Sequence, residues 1–461
     1  GGVFRGGGTL PTADLTVVDR HSTLATNALE LGDGGQVILW SDGSTRFYGT
    51  IATEGGTLGG NGGRVEVSGL KNLTFAGQVS TQAPLGTAGQ LWLDPTTITI
   101  IEGLAGSGSL DGTFNAGSGT INSTDPDVGA NTLSWGQIDS RIGNIVLQAT
   151  GDITIGDITT KPATLSADFS LRSTTGSVIM ADTTDTLSIG RAFTVQAAQA
   201  IQLGNITSGT ISLTAGSNIS TAALTAGGGA ISLNGGGNIT TGAVNTASTG
   251  TNTVTSGTIT LTTTGGSITT NALNSSATSN STGGPGIATG GAIRLTSTGT
   301  ITTQNINSSA SSDTNLATGL ATAGAVTLTA GGAVTVQQVL ANATATDTQG
   351  TMTAVGGAVN ITAGNPGTFG HNLSFATVTA TANANGGAAN TPSTATGGNI
   401  TLRAQGTIQG IRTVNGATID SSATATVPTG SVATGGAISI THDGGPNNWA
   451  FQVGLPTFNG T

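Results

Sequence analysis

Apolar and small polar residues alternate along this chain in short bursts. In GTITLTTTGGSITTNAL, from Gly257 to Leu273, Ile259 and Leu261 are apolar while Thr258, Thr260 and Thr262 are not. The pattern resumes at Ile268 and Leu273. A period of two carried by β-branched residues predicts strands. Gly-Gly, Gly-Ser and Gly-Asn pairs separate the bursts and predict turns with positive φ.

The unit recurs. GTISLTAGSNISTAAL starts at Gly209, GAISLNGGGNITTGAV at Gly229, GAIRLTSTGTITTQNI at Gly291 and GAVTLTAGGAVTVQQV at Gly324. Looser copies reach back to GQVILW at Gly35 and forward to GAISITH at Gly436. About fifteen copies at spacings of roughly 18 to 41 residues indicate a solenoid, a propeller or an array. A propeller needs four antiparallel strands in about 40–45 residues, with aromatic signatures. The spacings between Phe169 and Ile231 are shorter than that, and aromatic residues make up only 3%. The prediction is therefore an all-β chain, a parallel β-helix of about fifteen coils. One coil cannot bury its few aliphatic side chains alone; stacked coils share one column and one hydrogen-bond ladder. At about 4.8 Å per coil the predicted rod is on the order of 70 Å long.

Later copies carry Ser/Thr/Ala-rich insertions: Asn274–Thr289, Asn307–Thr322, Ala341–Val355, Ala376–Thr396 and Asn415–Thr434. Several end in Ala-Thr-Gly-Gly or a variant of it. Insertions at one phase of a solenoid leave on one side. Their own alternation, as in SFATVTATANA from Ser374, predicts lateral β-arms.

Composition narrows the chemistry. Only 7% of the 461 residues are charged, the formal net charge is −10, and 77 residues are glycine. No charged residue lies between Arg191 and Arg294, and no basic stripe marks a nucleic-acid footprint. The absence of cysteine excludes disulfides, thiolate nucleophiles and zinc–cysteine sites. No run reaches the roughly 20 apolar residues of a membrane-spanning helix. The chain begins at Gly1 rather than methionine and reads as a segment of something longer.

No residue stands out as catalytic, cofactor-binding or metal-ligating. Asp152 and Asp157 flank a strand, Asp182 and Asp185 share a turn, and Asp125 and Asp127 bracket Pro126. These pairs read as aspartates bonding their own turns, against the alternative of a carbohydrate-cleaving site. His21, His371 and His442 are scattered, which argues against a shared metal. Gly32–Gly35 contains one Gly-Asp-Gly-Gly, short of a tandem calcium repeat. Asn-Ile-Thr or Asn-Ile-Ser at Asn205, Asn218, Asn238, Asn360 and Asn399 reads as asparagine at turns entering strands, with glycosylation as the alternative. Trp40, Trp92, Trp135 and Trp449 read as core or cap packing, with sugar stacking as the alternative. Thr-x-Thr at Thr258–Thr260 and Thr300–Thr302 would suit an ice-binding array, but irregular insertions are expected to break it.

Three stretches carry a family resemblance: GDGGQVILWSDGSTRFYGTIATEGG from Gly32, GGNGGRVEVSGLKNLTFAGQVSTQAPLGTAGQLWLDPTTITI from Gly59, and NTLSWGQIDSRIGNIVLQATGDITI from Asn131. They resemble filamentous-haemagglutinin-like exoproteins of the two-partner secretion route, especially large cyanobacterial-type members. The resemblance covers residues 1–155. Residues 156–270 read as compact minimal coils, and 271–461 as coils with insertions, continuous with the rest. The family's secretion domain with its Asn-Pro-Asn signatures lies outside these residues. The resemblance implies a right-handed parallel β-helix, export through an outer-membrane barrel transporter and a cell-surface or secreted adhesin role; the leading reading of the residues is non-enzymatic. Expected partners are surface glycans or neighbouring solenoids. The alternative is a subunit of a self-assembling extracellular fibre, a homo-polymer. No cofactor or metal is expected.

Overall fold

The computed structural model describes residues 11–94, 96–103, 132–139, 143–158, 165–315, 318–347, 349–368, 370–386, 391–410, 417–426, 430–442, 453–454 and 456–459. The chain is all-β and built of parallel strands, each pairing with its counterpart one coil away, as a parallel β-helix requires. The one described helix is the single turn Trp135–Asp139. Two compact units are distinguished: residues 1–208 with 212–217, and 209–211 with 218–461.

In the first unit a front ladder runs through Gln36–Ser41, Arg64–Gly69, Gln90–Leu93, Asn144–Ala149, Phe169–Ser173 and Ala192–Ala197. A rear ladder includes Ile98–Ile101, Ile153–Ile155, Val178–Met180 and Ile201–Leu203. Inward residues stack like on like. Val65, Leu91, Ile145, Phe169 and Phe193 form one buried row. The Phe169 and Phe193 rings stack at 6.0 Å, and Phe47 on Phe75 at 5.4 Å.

In the second unit the front ladder aligns Ile231, Ile259, Ile293, Val326, Val359, Ile400 and Ile438. The rear ladder aligns Ile219, Ile239, Ile268, Ile301, Val334, Leu373 and Ile408. Apart from the last front residue, these side chains are at most 2% exposed. Burying each contributes about 1.5–3 kcal/mol, so the column holds the unit together. The aliphatic pairs legible in the sequence are its rungs.

The insertions form β-arms, as the sequence predicts. Each arm has an outgoing and a returning strand, and arms of successive coils pair in parallel. Outgoing strands are Ser248–Gly250, Ala277–Ser281, Ala310–Thr314, Ala343–Asp347, Ala382–Asn385 and Ala423–Thr426. Returning strands are Thr253–Thr255, Gly286–Thr289, Gly319–Thr322, Met352–Val355, Thr394–Thr396 and Val432–Thr434. The result is a two-layer flange. Its core is alanine, including Ala288, Ala321, Ala345, Ala354 and Ala384, with Val254 and Met352. The layers approach closely: a Cβ on Gly286 of a returning strand would stand 2.8 Å from Ser312 Oγ of an outgoing one. Two sequence expectations need correction. The flange starts one rung before Asn274, at Ser248–Thr255. Within the Ser374 stretch, Leu373–Thr379 belongs to the rear ladder and only Ala382–Asn385 to an arm.

The arms leave and return at one repeated junction. Ser275 Oγ donates to the Gly291 carbonyl at 2.6 Å, and Gly291 N–H donates back to the Ser275 carbonyl at 2.8 Å. Thr246 with Gly257, Ser308 with Gly324 and Ser421 with Gly436 do the same. Asn245, Asn274, Asn307 and Asp420 turn the chain outward by accepting the N–H two residues on. The junction glycines are not left-handed, contrary to the positive-φ expectation. What excludes a side chain there is the coil below: a Cβ on Gly324 would stand 2.5 Å from the Gly291 carbonyl carbon, and closer to its oxygen. Gly35, Gly63 and Gly89 of the first unit stack in the same way.

Candidate functional site

In the first unit the outward face of the front ladder carries the most varied chemistry. Ile38, Glu66, Trp92 and Val146 form one outward row, and Trp40 and Ser68 are partners in the next. Trp40 and Trp92 are half-buried. Their indole N–H groups donate to Asp42 Oδ1 and Gln90 Oε1, each at 3.3 Å. The Arg64 guanidinium lies 5.9 Å from the Trp92 ring centre, in cation–π range. Beside them Glu66 and Gln148 are each 1% exposed. Gln148 Nε2 donates to Asp94 Oδ2 at 2.9 Å. Strict alternation puts these polar groups in water; the fold buries them. Indole faces beside carboxylate and amide groups are the elements that hold a sugar ring, by stacking and by hydrogen bonds. Trp40 and Trp92 therefore depart from the core or cap role expected of them. Trp135 fulfils it, 6% exposed with its ring 6.0 Å from Phe169. Trp449 lies outside the described residues.

A second cluster joins Asp157, Asp182 and Asp185, whose carboxylates lie within 4.8 Å of one another. The coil register makes it: Ile155 pairs with Met180, which brings Asp157 beside the Asp182 turn. Asp182 and Asp185 are engaged by backbone and hydroxyl donors. Asp182 Oδ1 accepts the N–H and hydroxyl of Thr184, both at 2.7 Å, and Asp185 Oδ2 accepts the Ile158 N–H at 2.7 Å. Desolvation pushes the Asp157 carboxyl above the usual range, assisted by the charges of Asp185, Asp182 and Glu102. The Thr184 N–H and hydroxyl hold Asp182 below it. Turn bonding accounts for Asp182, as expected. Asp152 is different: its Oδ1 accepts the Ser177 N–H from the next coil at 2.7 Å. Asp125 and Asp127 lie outside the described residues.

Inter-coil capping also accounts for several asparagines. Asn218 Oδ1 accepts the Asn238 N–H, Asn238 Oδ1 the Ser267 N–H, and Asn399 Oδ1 the Ala437 N–H, each at 2.8 Å. Asn205 instead donates to the Thr184 and Asp185 carbonyls. Asn360 sits inside a strand, exposed, rather than at a turn. In Gly32–Gly35, Asp33 Oδ1 accepts the Asn61 N–H at 2.7 Å. His21 lies 3.7 Å from Asp19 on the surface, and neither it, His371 nor His442 belongs to the carboxylate cluster.

In the second unit one outward row of the rear ladder is polar and uncharged. Ser220, Thr240, Thr269, Thr302, Thr335, Ser374 and Gln409 align along the rear ladder. Among the described residues no helix is long and apolar enough to cross a membrane. No protein-family model matches the chain, and no curated protein matches it in sequence.

Proposed function

We propose that the chain is an extracellular, non-enzymatic β-solenoid adhesin or stalk, projected from or released by a bacterial cell. Export through an outer-membrane barrel by the two-partner route is part of the proposal. It comes from the resemblance of residues 1–155 to filamentous-haemagglutinin-like exoproteins. The observation that carries the adhesive role is the in-register rear row from Ser220 to Gln409. One weak polar contact repeated on successive coils gives avidity without any single strong site. The half-buried Trp40 and Trp92 of the first unit add stacking faces suited to sugar rings. Few charges keep long-range repulsion small and favour close approach to neutral glycans.

Binding to immobilised neutral and acidic polysaccharides tests the proposal. Trp92→Ala should weaken retention several-fold, because it removes a large apolar ring face on which a sugar ring can stack. Equal retention of Trp92→Ala, Trp40→Ala and wild type on every glycan that binds would remove Trp40 and Trp92 from the proposal. No retention on any glycan would remove the adhesive role. The low charge that favours adhesion equally favours lateral packing of rods, so a fibre subunit is the second reading. Ordered polymers in electron micrographs of purified protein would favour it.

A further inference from the structure

The flange has two outward faces, and their chemistry differs. The outgoing face carries amide and acid groups, among them Asn280, Asp313, Asn383 and Asn385. Its hydroxyls are partly engaged: Thr346 donates to Asp313 Oδ1 at 3.1 Å, and Thr426 donates to Asn385. The returning face carries no charge, amide or aromatic ring. One of its columns runs Thr255, Thr289, Thr322, Val355, Thr396 and Thr434 in continuous register. The neighbouring column mixes threonine with Ile287, Leu320 and Val432. Among the described residues, none of the threonine hydroxyls on this face hydrogen-bonds to protein.

We propose that this returning face binds ice. Its hydroxyl and methyl groups repeat at about 4.8 Å across the strands and about 6.6 Å along them. Both distances are close to repeats of water oxygens on the prism face of hexagonal ice. Aliphatic and threonine methyls order the first shell of water. Hydroxyls with no protein partner take positions in that ordered layer. An uncharged face suits an uncharged lattice; a charged or amide-bearing one pins water in other arrangements. The sequence argued against such an array because the insertions vary in length. That variation falls between the outgoing and returning strands, as between Ser281 and Gly286 or between Asn385 and Thr394. It leaves the register of the face intact.

Ice-affinity partitioning and thermal hysteresis of the purified full chain test this. Wild type should concentrate in a growing ice front and shape the crystals. The double variant Thr289→Lys, Thr322→Lys places two charges at the centre of the face, where neither side chain supports the core. It should lower the ice-bound fraction at least fivefold while keeping the wild-type unfolding midpoint. Thr344→Lys, on the outgoing face, should bind ice like wild type. The proposal is overturned if wild type partitions no better than serum albumin. It is also overturned if the double lysine variant still partitions fully, or if Thr344→Lys loses as much. Self-association or neutral-polysaccharide capture through this face, without ice partitioning, overturns it as well.

Discussion

Replacing Gly324 by alanine perturbs the contact between successive coils at a confined arm junction. The new Cβ would stand 2.5 Å from the Gly291 carbonyl carbon, about 0.9 Å inside ordinary contact at 3.4 Å. Neither atom lies at the end of a flexible side chain. Gly324 is held by its N–H bond to Ser308 and by the Ser308 hydroxyl on its carbonyl, both at 2.8 Å. Overpacking of this kind costs about 1–3 kcal/mol. Relief by displacement loosens the two hydrogen bonds, each worth about 1 kcal/mol net. The expected destabilisation is about 3–5 kcal/mol. Gly283→Ala is the matched control, because a Cβ there meets nothing within 4 Å. It should stay within about 0.5 kcal/mol of wild type or stabilise slightly. Urea unfolding followed by far-ultraviolet circular dichroism gives both values. Hydrogen exchange adds location: a solenoid couples only nearest neighbours, so lost protection should centre on Ala310–Thr314 and Gly319–Thr322. Equal midpoints for the two variants, with unchanged exchange, would show that the carbonyl of the coil below does not reserve this position for glycine.

Leu328 is 0% exposed between Leu295 and Ile361, so Leu328→Ala should cost about 2–5 kcal/mol in the same unfolding assay. Ser308→Ala removes the hydroxyl bond to the Gly324 carbonyl at 2.8 Å and a longer one to the Leu340 carbonyl at 3.5 Å; Ala341 and Ala380 already occupy that place one and two coils on. The loss should be about 1 kcal/mol or less. Ala321→Leu inserts three carbons into the alanine layer, where Ala321 is fully buried. It should cost about 1–3 kcal/mol and expose the flange to exchange before the aliphatic column. The carboxylate cluster gives opposite pH effects. Asp157, raised above its ordinary 3.8, binds its proton more tightly folded than unfolded, so stability falls as pH rises from there through its folded value. Asp182, lowered, contributes stability at higher pH that is lost as pH falls below 3.8. Carboxyl-resolved NMR titration should find Asp157 titrating above Asp182, and Asp157→Asn should remove the higher step.

The aliphatic rungs were legible because Ile, Val and Leu contrast sharply with Thr and Ser at a period of two. Ile231, Ile259 and Ile293 read as one column from sequence and form one. The arms were legible as strands, but their pairing into an alanine-cored layer was not. Ala and Thr differ too little in hydrophobicity to show which side faces in, and Ala345 and Thr344 look alike to a pattern. At the glycines before Ile293 and Val326 the sequence pattern points to positive φ, whereas the cause is the approach of a neighbouring backbone that no local signal carries. The Asp157 cluster was recoverable. Aligning coils by their rungs sets Ile155 on Met180, and two residues further on Asp157 falls beside Asp182. The burial of Glu66 and Gln148 was not, because alternation alone assigns both to solvent.

Cysteine cross-linking tests the stacking of coils most directly, and the chain contains no native cysteine to confuse it. Thr269 and Thr302 are exposed partners on adjacent rear strands, and Thr335 lies one strand beyond Thr302. Parallel neighbours place Cα atoms about 4.8 Å apart, inside the disulfide range of about 4.4–6.8 Å, whereas two strands place them about 9.6 Å apart. Mild oxidation should close a bond in Thr269→Cys/Thr302→Cys and leave Thr269→Cys/Thr335→Cys reduced. Equal cross-linking of both pairs, or cross-linking of the second alone, would contradict a column of coils stacked one upon the next.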